Sequence, residues 1–498
     1  MDRYPSATGE MPYNTNNNEK RCIKETCTDN NEWGNVDTEV LTMSIRSRLS
    51  TELSYALTTF TLLSTMRGQT AGSGFPIFQC VDLLDEMLHL LVDQAFDGAE
   101  DLPESIGPDD DPYITTNREL VNTVYEVESQ PFAVLQYRQG SKDPDLGPRQ
   151  RPANVVLAII NIICTIPDNL EFISRHQRLV DLILCVCRVA RVKGGPPSAA
   201  SSILSLGDLV TVRKDTLYTL TNIAGLIQFS SNAAPSEATL RMANRAFQLI
   251  ASYLVDPTEA VSPLACVQLA GIPLSGHLKP PSLPDISLEV FTRLSQTDSN
   301  RKVFAKAVPQ ASIWRLFVSL VHRLPVVDAD FQLVTRELWL SYLEKNIMAI
   351  YSLAFLAPPE LKRKVKTNRS LGFTAVMLRM IQKFLMNSNQ EGRMWFLVCA
   401  RKAIEAMKVV DKCEDSFETP KSTLSTMAFG MGYGEVWENG VDAENVGVRP
   451  WLPRPLSVAE TRWAPTDMSG SLALHMMLFT NISLFIIPLT CLDNSSTF

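Results

Sequence analysis

Alternating runs of Val, Ile, Thr and Tyr bounded by Asn-Gly turns are almost missing from this chain, which excludes a sandwich, barrel or parallel sheet as its main architecture. Histidine is scarce, at 5 in 498 residues. His89, His176, His277, His322 and His475 stand far apart, and none belongs to HExxH or another metal-ligand spacing. No Walker lysine follows a glycine loop. Gly430, Gly432 and Gly434 alternate, but they follow no strand and have no acidic residue about 20 positions on, and the dinucleotide fingerprint requires both. Ser275-Gly276-His277 carries no nucleophile-elbow pattern. Positive charge is not in excess either: 46 Lys and Arg face 54 Asp and Glu, a formal net charge of −8. The whole chain is therefore no polyanion binder, and any nucleic-acid contact needs a local basic patch. An apolar signal core is lacking from the polar N-terminus, which argues against secretion. A spatial triad leaves no linear trace, but the sequence calls for no active site and no cofactor, and a non-catalytic role is expected.

What is present is ordinary for a soluble protein, with 45% hydrophobic and 20% charged residues. The length allows two or three average domains or one elongated repeat structure. The chain has 10 cysteines, and Cys164, Cys185, Cys187 and Cys399 fall inside apolar helical stretches, as reduced intracellular thiols do. Cys22 and Cys27 lie in an Asn-rich stretch with no second ligand pair, so no metal is expected there.

Residues 1–38 are rich in Asn, Thr, Glu and Asp, a composition that predicts disorder. From 39 to 410 apolar-periodic segments alternate with Pro, Gly or charged loops. Helices are expected at Thr51–Thr65, Val81–Phe96, Ala153–Thr165, Glu171–Val192, Arg213–Phe229 and Glu237–Leu254. Further ones are expected at Ile286–Gln296, Ser312–Leu324, Leu333–Leu356, Ser370–Leu385 and Glu391–Val410. A short helix is expected before a break at Ser47-Arg48-Leu49, with Ser50 capping its successor and Leu53, Ala56, Leu57, Phe60 and Leu63 forming one stripe. Two insertions interrupt the series: an acidic one at 97–112 without Lys or Arg, and a Gly/Pro/Ser loop at 194–207. Residues 411–498 read as an irregular tail. Within it, 472–492 is about as long and apolar as a membrane span, but His475, Asn481 and Pro488 interrupt it. A buried final helix, aberrant sequence and a tail anchor all remain open.

One element recurs. LAIINIICTI (Leu157–Ile166) and LYTLTNIAGLI (Leu217–Ile227) align Asn161 with Asn222, and Asn346 in EKNIMAIYSLAFL is a weaker third copy. An Asn in an apolar helix needs a hydrogen-bond partner if it is buried. Armadillo repeats often carry such an Asn on the long inner helix, where it lines the concave surface and bonds an extended ligand's backbone. The other reading is an Asn that bonds a neighbouring interhelical loop. Either way, stacked helices without a sheet predict an all-α, armadillo/HEAT-like α-solenoid, with Asn161 and Asn222 as partner-binding candidates.

The one basic cluster is Lys362, Arg363, Lys364, Lys366 and Arg369, just after Ala357-Pro358-Pro359. It reads as an import signal, a phosphate-contacting patch or a solvated interhelical loop. Aromatics are not interleaved with it, so base recognition is not implied.

The string LTMSIRSRLSTELSYALTTFTLLS from Leu41 to Ser64 resembles the opening of the helical-repeat region in ARID-type subunits of SWI/SNF and RSC chromatin remodellers, the Osa-like and Rsc-nine-like proteins. The matching positions are Arg46, Ser47, Leu49, Glu52, Tyr55, Ala56, Leu57 and Leu62-Leu63. The likeness extends more loosely through Phe229 and towards Val410. It implies a nuclear scaffold that holds the remodeller ATPase and other core subunits, and reaches chromatin mainly through the complex. The ARID that names the family has no room before Leu41 and leaves no trace later, so direct DNA binding is not expected. The rival expectation is a cytoplasmic or tail-anchored armadillo adaptor for peptide partners.

Overall fold

The computed structural model describes residues 36–65, 75–96, 113–128, 146–165, 170–191, 196–229, 235–271, 278–386 and 390–417. All belong to one compact unit, Met1–Thr419. The Cys22/Cys27 stretch, the acidic insertion 97–112 and the apolar segment 472–492 lie outside the described residues.

The chain opens with α1 (Thr38–Ser47), capped by Asp37, whose carboxylate accepts from the Glu39 N–H at 2.9 Å. Arg48 then turns left-handed at φ 57°. The Ser47 Oγ accepts from the Leu49 N–H at 3.2 Å, so the break falls where expected, with Ser47 rather than Ser50 bonding across it. Next come α2 (Ser50–Thr65), α3 (Val81–Phe96), α4 (Asn117–Glu128), α5 (Leu146–Thr165), α6 (Leu170–Arg175) and α7 (Gln177–Val186). A hairpin of β1 (Val189–Arg191) and β2 (Pro197–Ala199) precedes α8 (Leu206–Ile223), α9 (Glu237–Ser252) and α10 (Pro263–Leu269). The series continues with α11 (Ser282–Leu294), α12 (Asp298–Ala307), α13 (Gln310–His322) and α14 (Asp328–Val334). It ends with α15 (Glu337–Leu356), α16 (Pro359–Thr367), α17 (Phe373–Leu385) and α18 (Gln390–Lys412).

The fold is an all-α helical solenoid of the armadillo/HEAT kind. Its long helices form a ladder in which α2 packs on α5, α5 on α8, α8 on α11, α11 on α15 and α15 on α18. A second row, α1, α3, α7, α9 and α12, packs in the same order along the ladder's flank. The apolar stripes meet between the rows. Ala56, Leu57, Phe60 and Leu63 of the opening stripe are all buried. Between α9, α11 and α12 the rings of Phe247, Phe291, Phe304 and Phe229 pack edge on or tilted, at 5.2–6.3 Å between neighbouring centroids. Burying each such ring contributes about 1.5–3 kcal/mol.

Several sequence expectations need correcting. The helix expected over Glu171–Val192 is two helices and a strand. The His176 Nδ1 accepts from the Leu179 N–H at 3.2 Å and starts α7 afresh, and the chain turns extended at Val189. The loop expected at 194–207 contributes β2, then the start of α8. Ser205 caps that helix and Asp208 reaches back to the Ser205 N–H. The stretch Leu333–Leu356 is divided between α14 and α15.

Candidate partner-binding site

Asn161 and Asn222 are both exposed, on α5 and α8, which neighbour one another in the ladder. Asn346 does not join them. It is fully buried in α15, where its Nδ2 donates to the Leu320 carbonyl at 3.1 Å and its Oδ1 has no partner. The third copy is therefore a core residue tying α15 to α13, and its acceptor is a carbonyl within a helix and not in an interhelical loop. Beyond Asn222 the ladder surface carries a matched ion network. Arg293 donates to the Thr221 carbonyl at 2.9 Å and pairs with Glu289 at 2.6 Å, and Lys345 reaches Asp285 at 3.0 Å and Glu289 at 3.1 Å. Burial alone would lower the Lys345 ammonium, but its hydrogen bonds to both carboxylates, with their charge, carry it above its usual value.

The basic cluster is helical. Its sequence LKRKVKT forms most of α16, and that helix buries Leu361, Lys362 and Val365 while exposing Arg363, Lys364 and Lys366. Lys362 is 1% exposed and donates to the Glu414 carbonyl at 2.6 Å and the Ser416 Oγ at 2.7 Å. Burial drives its ammonium below the usual lysine range, against the raising charges of Asp415, Cys413 and Glu414. It is thus a structural tie between α16 and the chain after α18, and is withdrawn from any patch. Lys366 pairs with Asp411 at 3.1 Å and Lys364 lies over the Trp314 ring at 4.3 Å. Arg363 and Arg369 are exposed.

The described residues also form a cleft that the sequence reading did not single out. It has a volume of about 230 Å³ and lies between the segment before α4, the end of α7 with β1, and α8 and α9. Arg188, Arg213, Arg245, Asn244, Gln248 and Tyr113 line it. Arg213 is 4% exposed; it donates to the Cys187 carbonyl at 2.6 Å and to the Ser252 Oγ at 2.7 Å, while its Nε has no acceptor. Arg245 pairs with Asp181 at 2.6 Å. At the rim, the guanidiniums of Arg191 and Arg315 lie 4.1 and 4.9 Å from the Tyr113 ring centroid. Burial pushes the Cys187 thiol up to about 11, against its hydrogen bond to Thr216 and the charge of Arg213. One signal in the sequence pointed here. Leu209, Arg213, Thr216 and Leu220 share a helical stripe and all four are buried, which puts a cation on an otherwise core-facing line.

Among the described residues no three His, Cys, Asp or Glu side chains gather as a metal site, and no helix is long and apolar enough to cross a membrane. Comparison with protein families and with curated proteins gives no match to this chain.

Proposed function

We propose that this chain is a non-catalytic scaffold whose helical-repeat surface clasps segments of partner proteins, as a subunit of a SWI/SNF-type ATP-dependent chromatin-remodelling complex in the nucleus. The observation that carries the scaffold reading is the placement of Asn161 and Asn222 on consecutive ladder helices with both side chains at the surface. An Asn amide carries both a donor and an acceptor, and a solenoid's stacked repeats can present such groups to an extended backbone or a long partner helix. The assignment to a remodeller draws on the Leu41–Ser64 string. Its Leu49 and Tyr55 are 57% and 58% exposed, so part of the resembling sequence is available to partners rather than spent on the core. In this reading the partners are the ATPase and other core subunits, and chromatin is reached through them.

Affinity purification of the tagged chain from nuclear and membrane fractions, followed by mass spectrometry, tests the proposal. Co-purifying remodeller subunits, reduced when Asn161 and Asn222 are both changed to Ala, are the expected result. Recovery of membrane machinery instead would replace the remodeller with a tail-anchored adaptor.

A further inference from the structure

The cleft between α7, β1, α8 and α9 has an imbalance of charge. Three guanidiniums line it, from Arg188, Arg213 and Arg245, and no carboxylate among the described residues does. Arg245 has its counter-ion in Asp181. Arg213 makes no ion pair among the described residues; its two bonds go to a carbonyl and a hydroxyl. The Cys187 carbonyl belongs to the C-terminal end of α7, whose partial negative charge offsets part of the Arg213 charge. A half charge does not balance a whole one, and a buried cation without an anion is costly. Asp215, two residues along α8, is half-buried on a different face of the helix and makes no ion pair with Arg213. The Arg213 Nε–H and the Asn244 Oδ1 are both buried without partners. The Asn244 amide, turned by half a rotation, offers N–H groups at the same place.

We propose that this cleft is an oxyanion site that receives an acidic side chain, a carboxylate or a phosphate, from a partner polypeptide. The volume favours such a headgroup. At about 230 Å³ it falls below the roughly 300 Å³ from which small-molecule pockets usually start, yet it exceeds what a side-chain oxyanion occupies. Guanidiniums suit the task because their planar N–H pairs bind two oxygens of one carboxylate or phosphate. Tyr113, with Arg191 and Arg315 against its ring, gives the mouth an aromatic rim, at which Glu119 accepts from the Tyr113 hydroxyl at 3.0 Å and pairs with Arg191 at 3.2 Å, so the unmatched charge lies inside the cleft and not at its edge. The site rests on the scaffold reading only in taking its ligand from a protein, and it does not depend on which complex the chain serves.

The test uses the full chain and fluorescein-labelled Ala/Gly peptides that carry a run of glutamates, of phosphoserines or, as the control, of glutamines. In fluorescence anisotropy at least one acidic peptide binds about tenfold or more tightly than the control, and salt weakens it. Whichever of the two binds better identifies the source of the oxyanion. Gln248→Glu is the decisive variant. Gln248 sits one helical turn before Ser252, the residue that accepts from Arg213, so a carboxylate there occupies the site from within. Binding should fall to the control level while the melting temperature stays level or rises, because Arg213 has gained a counter-ion. If Gln248→Glu fails to fold, Arg188→Gln carries the same test. Equal affinity for acidic and glutamine peptides, or acidic binding that survives these variants, overturns the proposal. So does a DNA duplex that outcompetes the acidic peptides and is itself lost in Gln248→Glu. Failure here leaves the scaffold reading standing if partners still co-purify with Gln248→Glu.

Discussion

Helices α8 and α15 occupy comparable steps in the ladder, yet they treat charge in opposite ways. On α15 the cation, Lys345, stays at the half-exposed surface between two carboxylates of α11. On α8 the cation, Arg213, turns inward to a carbonyl and a hydroxyl, beside a cleft lined by no carboxylate among the described residues. The polar amides are exchanged too: α8 exposes Asn222, and α15 buries Asn346. The first arrangement is a closed account of charge that holds neighbouring helices in register. The second ties helices together and leaves an unbalanced cation over. In a solenoid each repeat contacts mainly its neighbours, so a step with uncompensated charge is a natural place for something from outside.

The largest expected effect separates the two helices directly. Arg213→Ala removes the tie from α8 to the end of α7 and to α9, leaves the Cys187 carbonyl and Ser252 without their donor, and enlarges the cleft. The cost is about 3 kcal/mol in urea unfolding. Lys345→Ala frees Asp285 and Glu289, but all three groups already see water, so the loss is nearer about 1 kcal/mol. Equal costs would mean that Arg213 is no more structural than a surface pair.

The same cleft sets an alkaline limit. The Cys187 thiol is raised from 9.0 to about 11 in the fold. Between those values the folded chain keeps a proton that the unfolded chain has released. Stability is fully present below pH 9 and falls as pH rises, by about 1.4 kcal/mol for each unit. Thermal melts across that window should show a decline that Cys187→Ala makes shallower, while the thiols of Cys185, Cys266 and Cys399, which burial also raises, supply the remainder. A decline unchanged by that substitution would place the titrating group elsewhere.

Much of this ladder was legible from periodicity alone. Val81–Phe96 is found with the bounds read from its apolar stripe, and α2, α9, α13 and α18 lie within a few residues of theirs. Short polar helices were not legible. In α12 the buried apolar side chains are Val303 and Phe304 alone, too few to make a stripe. The break at His176 was missed because an imidazole there does the work usually given to Ser, Thr, Asn or Asp. Strands of three residues carry no period, so the hairpin was invisible. For the Asn positions the sequence shows that an amide interrupts an apolar helix but not which way it faces: Asn222 faces out and Asn346 in. The cleft was beyond reach for a different reason. Tyr113, Arg188, Arg213 and Gln248 come together from separate segments, and only the packing of the second row on the ladder brings them into one space.

The basic helix α16 gives the smallest effect and the sharpest correction. Its cations and Arg369 beyond its end form one basic run in the sequence, but Lys362 is buried and bonded while Arg363, Lys364, Lys366 and Arg369 remain at the surface. Lys362→Gln shortens the donor and should leave the Glu414 carbonyl and Ser416 without it, a loss of about 1 kcal/mol. Changing the other four together to Gln sacrifices the Lys366–Asp411 pair and the Lys364–Trp314 contact. Both are near water, so the sum should stay below about 0.5–1 kcal/mol. The two variants therefore divide stability from surface function. If the patch serves nuclear import or phosphate contact, the fourfold variant weakens nuclear retention of a fluorescent fusion with its melting temperature almost unmoved, whereas Lys362→Gln lowers the melting temperature and leaves localisation alone. Loss of retention in Lys362→Gln but not in the fourfold variant would show that localisation follows the integrity of α16 and not its exposed charge.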